Sequence, residues 1–392
     1  MSINKKISIS NEIVKITVEP LEFPGGNLFL RFLEHIVFNC DDFLESLLIL
    51  SNNQKIKEKK VYLSGEVSFE THDLSSQIGG VILRCFTLSN GNHLIFEGNP
   101  NPFKLHLFDS KWNHIISNEP GRFHAWHGTW SISQSKFGSV IFVEYPNEFS
   151  SQDLRVWKSV DGGISWEIVF LLPGITTQRD TQSPGIVRHF HTCQFYEDDG
   201  VWIVSTGDYW LHCRQFFSYD DGITWHEKIV EEVLGVDNSM LKLSRGLRRT
   251  CEASFDKNTI CWATDDTVGL GQSQFVLCNL RSPVKISFLG GIGSNEVRSL
   301  VDIGRAFFLT IPESKKGDGL ASIYLAGQDY PPSFVGDILI PNIKTGFTYS
   351  KCSKKVDRNG TFYTFVGDGV FGREVLALQW NREWLQDKGR VG

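Results

Sequence analysis

The stretch SYDDGITW at residues 218–225 decides the fold of this chain, because SVDGGISW at residues 159–166 repeats it. Both fit Ser-x-Asp-x-Gly-x-Ser/Thr-Trp and lie between apolar runs rich in β-formers. In such a turn the Asp accepts backbone hydrogen bonds, and the Gly takes a conformation that a Cβ forbids. The Trp packs the turn against a neighbouring strand. We call these segments the first Asp-turn (159–166) and the second Asp-turn (218–225); they predict repeated β-hairpins.

The composition favours an all-β protein with many short strands. The 392 residues include 36 Gly and 13 Pro, and no long heptad pattern is present, which is typical of strands joined by tight turns. The net charge of −6 argues against a nucleic-acid partner. No apolar run approaches the roughly 20 residues of a spanning helix, so we expect no membrane partner.

The start of the sequence and the spacing of its cysteines indicate the cellular compartment. The start, MSINKKI, has no apolar leader, and none of the eight Cys forms a Cys-x-x-Cys pair. We therefore expect buried thiols and a cytoplasmic location.

A hairpin pattern recurs from residue 79 onward. Each copy has an apolar run, a polar or Gly-containing turn, and a second apolar run that ends near Glu or Asp. Six copies begin near residues 85, 131, 192, 251, 297 and 353, a spacing that suits four-stranded propeller blades. FDSKW at 108–112 lies where an eroded third Asp-turn is expected. We predict a six-bladed β-propeller over residues 79–392.

The N-terminal segment, residues 1–78, is predicted to supply a strand that closes the ring, a small cap, or both. A seven-bladed ring that takes a blade from residues 10–75 is the alternative. Within this segment, DDFLESLL at 41–48 fits either a short helix or part of a hairpin, and the Lys-rich run at 55–60 indicates a solvated turn.

The loops before the first strands are rich in charge and imidazole, and a propeller would bring them together at one mouth of its channel. The residues concerned are Arg84, His124, His127, Arg188, His189, His191, Arg248, Arg249, Glu296 and Arg298. Guanidinium groups bind carboxylates through two parallel hydrogen bonds, which suits an acidic ligand. The alternative is that these Arg residues pair with acids of the sheets.

The Asp-turns resemble the Asp-boxes of sialidases and related repeat propellers. Arg84, followed by NGNHLIFE at 90–97, looks like the strand that carries the family's first carboxylate-binding Arg, although the family's Arg-Ile-Pro is Arg-Cys-Phe here. Glu296 and Tyr349 lie in segments similar to those that carry the catalytic Glu and Tyr.

The resemblance implies hydrolysis of a glycoside of a sugar acid, sialic or a related nonulosonic or uronic acid. Tyr349 would be the nucleophile and Glu296 the base that activates it; a neutral phenol suits attack beside a carboxylate. No Asp acid is found between Arg84 and Asp109, so either His124 or His127 is the proton donor, or the reaction differs, or the site only binds; our candidate is His127. The substrate-binding residues are assigned as Arg84, Arg248, Arg249, Arg298 and His191.

Two other functions stay open. The mouth could bind an acidic glycan or a protein without catalysis, in which case Tyr349 only packs at a strand end and Glu296 pairs with Arg298. The site at the mouth could instead be that of a polysaccharide lyase with a His base. His189 and His191 point to one face of a strand and could bind Zn or Mn with His127, but His-x-His alone is a weak pattern. We assign no metal and no cofactor.

Overall fold

The structure is a computed structural model. The described residues are 8–11, 14–17, 19–20, 33–37, 43–52, 54–62, 67–98, 103–120, 130–146, 153–175, 185–208, 212–228, 232–235, 248–249, 251–265, 272–281, 284–292, 297, 300–304, 307–310, 320–327, 330–339, 348–352, 361–368 and 371–379.

The described residues are organised as β-strands, which we number in chain order and group into sheets 1 to 7. The N-terminal strands are β1 (Ser8–Asn11), β2 (Val14–Thr17) and β3 (Glu19–Pro20). Sheet 1 has β4 (Leu33–Val37), β5 (Phe43–Asn52), β6 (Lys55–Tyr62) and β7 (Val67–Asp73). Sheet 2 has β8 (Val81–Thr87), β9 (His93–Gly98), β10 (Lys104–Phe108) and β11 (His114–Asn118). Sheet 3 has β12 (Ile132–Gln134), β13 (Val140–Val143), β14 (Leu154–Ser159) and β15 (Glu167–Leu172).

The second half of the chain continues in the same way. Sheet 4 has β16 (Phe190–Tyr196), β17 (Val201–Thr206), β18 (Gln215–Ser218) and β19 (His226–Glu227). Sheet 5 has β20 (Glu232–Leu234), β21 (Ala253–Asp256), β22 (Thr259–Ala263), β23 (Ser273–Asn279) and β24 (Lys285–Ile292). Sheet 6 has β25 (Leu300–Gly304), β26 (Phe307–Thr310), β27 (Leu320–Gly327) and β28 (Tyr330–Leu339). Sheet 7 has β29 (Thr348–Cys352), β30 (Thr361–Asp368), β31 (Phe371–Gln379) and the N-terminal β3.

The sheets share one topology, in which consecutive strands pair antiparallel. Two of them depart from it. Sheet 5 gains β20, which pairs parallel with β24, and sheet 7 takes its fourth strand from the N-terminus, where β3 pairs with β31. Strands β1 and β2 pair with each other. The described chain is thus all-β, as the composition predicts, and it contains no helix long and apolar enough to cross a membrane.

The N-terminal segment contributes more strand than its sequence suggested. The run at 41–48 overlaps strand β5 and forms no helix, and the Lys-rich run at 55–60 is the start of β6, not a turn. The prediction of a turn was wrong because the lysines are paired with acids: Lys60 Nζ lies 2.9 Å from Glu70 Oε2, and Lys55 Nζ lies 2.9 Å from Asp73 Oδ2. Ile56, between them in sequence, is fully buried.

Neighbouring sheets pack face to face in chain order. Apolar clusters join each consecutive pair from sheets 1 and 2 to sheets 5 and 6, and strand contacts join sheets 6 and 7. Strand β30 of sheet 7 also contacts β4 of sheet 1. Because sheet 4 is covered on both faces, its first two strands are buried along their whole length, whereas its fourth strand, β19, is exposed.

The first strands of distant sheets come close together. The indole Nε1 of Trp130, which precedes β12 in sheet 3, donates a hydrogen bond to the backbone oxygen of Glu252, which precedes β21 in sheet 5; the distance is 2.8 Å. Between them, Gln194 of β16 donates a hydrogen bond of 2.9 Å to the backbone oxygen of Trp130. The starts of the first strands of sheets 3, 4 and 5 therefore meet at one place.

The cysteines whose side chains the structure describes are buried thiols, as expected. They are Cys85, Cys193, Cys213, Cys251, Cys261 and Cys278. Burial raises the pKa of the Cys278 thiol to about 12, so it stays protonated and packs as a small apolar side chain.

The two Asp-turns make the same hydrogen bonds and join the third and fourth strands of sheets 3 and 4. In the second, Asp220 Oδ1 accepts from the Thr224 N–H at 2.9 Å and Oδ2 from the Thr224 hydroxyl at 2.6 Å. These bonds, with one from Ser218, lower the pKa of Asp220 to about 2. The indole Nε1 of Trp225 donates to the backbone oxygen of Gly222 at 3.2 Å.

The eroded third copy lies at the equivalent place in sheet 2, between β10 and β11. Asp109 Oδ1 accepts hydrogen bonds from the backbone N–H groups of Lys111 and Asn113, at 2.9 and 2.8 Å. Its Trp112 is buried and stacks on His93, with ring centroids 4.1 Å apart. Asp109 is thus engaged in its own turn, as the sequence interpretation required.

The Gly of the second Asp-turn is expected to be much less replaceable than another Gly with similar backbone. Gly222 has a φ of +85°, and a Cβ there would lie 2.6 Å from Ile141 Cδ1 in sheet 3. Gly138 has a φ of +93°, but a Cβ there would meet nothing within 4 Å. Both Ala variants bear the left-handed strain of about 1–2 kcal/mol. Gly222→Ala should lose a further ~1–3 kcal/mol through overpacking, measured by urea unfolding. Equal losses for the two variants would contradict this account.

Candidate functional site

Buried acids recur where the second strands of the sheets end. Glu97 is the next-to-last residue of β9, and Glu144, Asp208 and Asp265 closely follow β13, β17 and β22. All four are at most 7% exposed. Acids at such depth need cations or hydrogen-bond donors beside them, because burial disfavours a lone charge. The donors around Asp208 come from two sheets, and this group is our candidate site.

Asp208 lies at the centre of the group, with imidazole and guanidinium on both of its oxygens. Oδ2 lies 2.8 Å from Arg188 Nη1 and 3.0 Å from His189 Nε2. Oδ1 lies 3.4 Å from His191 Nε2 and 3.4 Å from Arg248 Nη2. Burial by itself raises the pKa of Asp208, but His189, His191 and Arg248 outweigh it and hold this pKa well below its usual range.

The local backbone conformation fixes the position of the Asp208 carboxylate. Asp208 has a φ of +85°, in a region that Asp tolerates better than most residues but that still costs free energy. The preceding Gly207 lies against the His191 ring, and a Cβ there would come within 2.4 Å of Cε1. The sequence Gly-Asp after β17 is therefore needed to seat the imidazole and to turn the carboxylate back toward it.

The two imidazoles are held from their other side. His189 stacks on Tyr145, which follows β13 of sheet 3, with ring centroids 3.7 Å apart, and its Nδ1 lies 3.4 Å from the backbone oxygen of Pro146. His191 Nδ1 lies 2.9 Å from the backbone oxygen of Arg249. Burial lowers the pKa of His191, against the opposing effect of Asp208.

Arg248 links the acids of sheets 4 and 5. Besides Asp208, it faces Asp265, with Nε 3.2 Å from Asp265 Oδ2. The backbones of the two residues are also hydrogen-bonded, because the Asp265 N–H donates to the Arg248 backbone oxygen at 3.0 Å. The side chains of Arg188 and Arg248 are 28% and 14% exposed, so they are the charged groups through which this cluster can meet a ligand.

Arg249 does not face the same space as its neighbour. Its guanidinium is buried, Nη1 donates to Gln215 Oε1 at 2.9 Å, and Nε pairs with Glu252. Its guanidinium carbon lies 4.3 Å from the centroid of the Trp262 ring. The structure thus makes Arg249 part of the packing between sheets 4 and 5, and we correct its assignment as a substrate-binding residue.

Arg84 is also largely buried, at 5% exposure. Its Nη1 donates to the Ser131 hydroxyl at 3.0 Å, and its guanidinium lies 5.9 Å from the centroid of the Phe86 ring. The side chain therefore reaches from sheet 2 to the start of sheet 3, and it is not among the residues around Asp208.

The predicted catalytic residues are placed only in part. Tyr349 lies in β29, the first strand of sheet 7, where it pairs with Gly367 of β30. Glu296, Arg298 and His127 lie outside the described residues. Of the predicted substrate-binding residues, His191 and Arg248 meet at Asp208.

Sequence reasoning missed Asp208, Asp265 and Tyr145 as members of the site. The sequence contains a signal for the two acids, because the hairpin copies end near Glu or Asp, and basic residues precede the first strands.

No family model and no curated protein matches the chain. Among solved structures, prolyl oligopeptidase B from Galerina marginata, bound to a 25mer macrocyclization substrate, is similar with a TM-score of 0.52 and 8% identity, over 87% of this chain and 47% of that chain. An uncharacterized protein from Listeria monocytogenes EGD-e has a TM-score of 0.44 and 8% identity, over 88% of this chain and 92% of that chain. The chain spans about half the length of the prolyl oligopeptidase, and at this identity the likeness concerns the β-rich fold alone.

Proposed function

We propose that sheets 1 to 7 are the blades of a seven-bladed β-propeller. Sheet-to-sheet contacts run through the chain in order, and the contact of β30 with β4 supports closure between the last sheet and the first. The pairing of β3 with β31 joins the N-terminal strand to the last sheet. The meeting of Trp130 with Glu252 across sheet 4 supports a common axis lined by the first strands. The six blades predicted from the sequence correspond to sheets 2 to 7, and the seven-bladed alternative adds sheet 1.

We further propose that this propeller binds a sugar acid at the mouth where Arg188 and Arg248 lie. The single observation that supports it is the cluster around Asp208, where two guanidinium groups from two sheets are partly exposed beside buried imidazoles. Their orientation is fixed by the carboxylates behind them, so a ligand carboxylate would meet preorganised donors. Such a ligand would be sialic acid or a related nonulosonic or uronic acid within a glycan.

The reaction proposed is hydrolysis of the glycosidic bond of that sugar. Tyr349 as nucleophile, Glu296 as its base and His127 as proton donor remain the proposed catalytic residues, on the strength of the resemblance to sialidases. The position of Tyr349 on the first strand of sheet 7 supports the proposal, because first strands would line the channel of a propeller.

Binding without cleavage is the second candidate, and one observation favours it. The acid nearest to the place where sialidases carry their catalytic Asp is Asp109, and Asp109 is occupied by the hydrogen bonds of its own turn. A propeller without a proton donor would hold the sugar acid and release it unchanged.

The test is a panel of fluorogenic glycosides of sialic, other nonulosonic and uronic acids, with binding of the free sugar acids measured in parallel. Arg188→Gln should weaken binding of the sugar acid about 10- to 100-fold, the loss expected for a charge-assisted hydrogen bond. Arg214→Gln is the control, because Arg214 lies in the same sheet but pairs with Glu227 near the exposed fourth strand. Equal effects of the two substitutions would refute the proposed mouth.

Catalysis is tested separately. Tyr349→Phe should abolish turnover and leave binding of the sugar acid intact, while Tyr219→Phe, at an exposed tyrosine of the second Asp-turn, should change neither. Binding with no turnover on any substrate would support the second candidate, and an unsaturated, ultraviolet-absorbing product would point to a lyase instead.

A further inference from the structure

Two imidazole nitrogens and one carboxylate converge at a buried point in sheet 4. His189 Nε2 and His191 Nε2 face the two oxygens of Asp208 at 3.0 and 3.4 Å. The ligand atoms of these three residues all lie within 4.8 Å of one another. We propose that His189, His191 and Asp208 bind one divalent transition-metal ion, and that the ion is zinc.

The hydrogen-bonding state of the imidazoles is the first argument. The Nδ1 atoms of His189 and His191 face backbone oxygens, of Pro146 at 3.4 Å and of Arg249 at 2.9 Å. A carbonyl oxygen only accepts, so each Nδ1 carries a proton, and each Nε2 is the ring nitrogen that remains to bind an ion. An ion at this point would be bound by two imidazole nitrogens and a carboxylate, the ligand types that zinc prefers.

The distances are the second argument. Zinc binds imidazole nitrogen and carboxylate oxygen at about 2.0–2.2 Å. Ligand atoms at angles between about 90° and 110° around such an ion are separated by roughly 3.0–3.5 Å. Each imidazole lies within this interval of one carboxylate oxygen, His189 Nε2 at 3.0 Å from Oδ2 and His191 Nε2 at 3.4 Å from Oδ1.

The groups behind the three ligands are those that a metal site requires. Ligating imidazoles usually donate their second N–H to a carbonyl or carboxylate, which fixes the ring, and here both Nδ1 atoms face carbonyls. Ligating carboxylates are themselves hydrogen-bonded, and Arg188 Nη1 lies 2.8 Å from Asp208 Oδ2. Each carboxylate oxygen has two lone pairs, so the guanidinium and the ion do not compete for the same one. Asp265 beside Arg248 offsets part of the cationic charge.

The other described cluster of suitable residues provides a contrast. Glu58, Glu70 and His72 also bring their ligand atoms within 4.8 Å of one another. This cluster offers one imidazole instead of two, its Glu70 is exposed, and the ammonium of Lys60 lies 2.9 Å from Glu70 and 3.5 Å from Glu58. This second cluster is the internal control for metal binding.

The test measures zinc on the purified full-length chain after treatment with a chelator, and it is independent of any activity. We expect one Zn²⁺ bound per chain by titration calorimetry and elemental analysis, with a rise in Tm on adding Zn²⁺ and none with Ca²⁺, which prefers six to eight oxygen ligands. His191→Gln and Asp208→Asn should each weaken Zn²⁺ binding at least about tenfold. His72→Gln should bind as the unaltered chain does.

X-ray absorption at the zinc edge keeps the proposal testable if a variant fails to fold. The expected first shell of the unaltered protein holds only nitrogen and oxygen at about 2.0–2.2 Å, whereas zinc on cysteine would add sulfur at about 2.3 Å. A folded chain that takes up no Zn²⁺, a sulfur shell, or unchanged affinity in folded His191→Gln would each overturn the proposal.

Discussion

Replacing Arg249 by Met should lower the free energy of unfolding by about 3–5 kcal/mol, one of the two largest effects we expect in this chain. The Met side chain keeps much of the apolar volume over Trp262, so the loss comes from the charge. Glu252, buried at 3% exposure, would be left without the guanidinium that now pairs with it. Gln215 would also lose the hydrogen bond that Arg249 Nη1 donates at 2.9 Å. Urea unfolding, followed by far-ultraviolet circular dichroism, measures the change.

A double-mutant cycle separates this ion pair from simple loss of packing. Glu252→Met alone should be similarly destabilising, because it leaves Arg249 charged and buried, at 1% exposure. The double variant Arg249→Met with Glu252→Met should lose far less than the sum of the two, since no uncompensated charge remains. Arg281→Met, at an exposed arginine of the same sheet, is the control and should stay within about 0.5 kcal/mol. Additive losses in the cycle would contradict a charge-coupled pair.

The Arg248-Arg249 dipeptide shows what the sequence could not resolve at the site. The sequence predicts that both bind substrate, because both precede a predicted first strand. Neighbouring residues in extended chain point to opposite sides, and the sequence does not say which side faces the channel. Arg248 reaches Asp208 and Asp265, while Arg249 turns inward onto Trp262. Which of the two is functional depends on the packing of sheet 5 against sheet 4, which is a property of the tertiary structure.

The Asp-turns show the opposite case, because their structure could be predicted from the sequence alone. Asp161 and Asp220 accept their hydrogen bonds from residues at most four positions away, so eight consecutive residues determine the whole turn. Sheet 1 could not be identified in this way. Its strand β6 is rich in lysine, a composition that predicts solvated chain. It forms a strand because β7 places Asp73 opposite Lys55 and Glu70 within 2.9 Å of Lys60. Local turn chemistry was predictable, whereas strands stabilised by cross-strand pairs were not.

Asp208→Asn is expected to have the other large effect, a loss of about 3–5 kcal/mol in the free energy of unfolding, measured in buffer that contains a chelator. Asn matches the shape of Asp and tolerates the same positive φ, so the substitution removes charge without adding backbone strain. Without that charge, Arg188 loses the carboxylate at 2.8 Å, and Arg248 loses one of the two carboxylates that it faces. His189 and His191 lose the same carboxylate, which now lies 3.0 and 3.4 Å from their Nε2 atoms.

The control for Asp208 is Asp256→Asn, at an exposed carboxylate on β21 of the neighbouring sheet. Its unfolding free energy should stay within about 0.5 kcal/mol of the unaltered chain. Asp208→Asn should also weaken sugar-acid binding, because Arg188 and Arg248 would no longer be held in place, and this loss should persist at temperatures where the variant is fully folded. If folded Asp208→Asn retained both stability and binding, the carboxylate would not organise the four basic side chains around it, and the mouth would have to be sought at another pair of sheets.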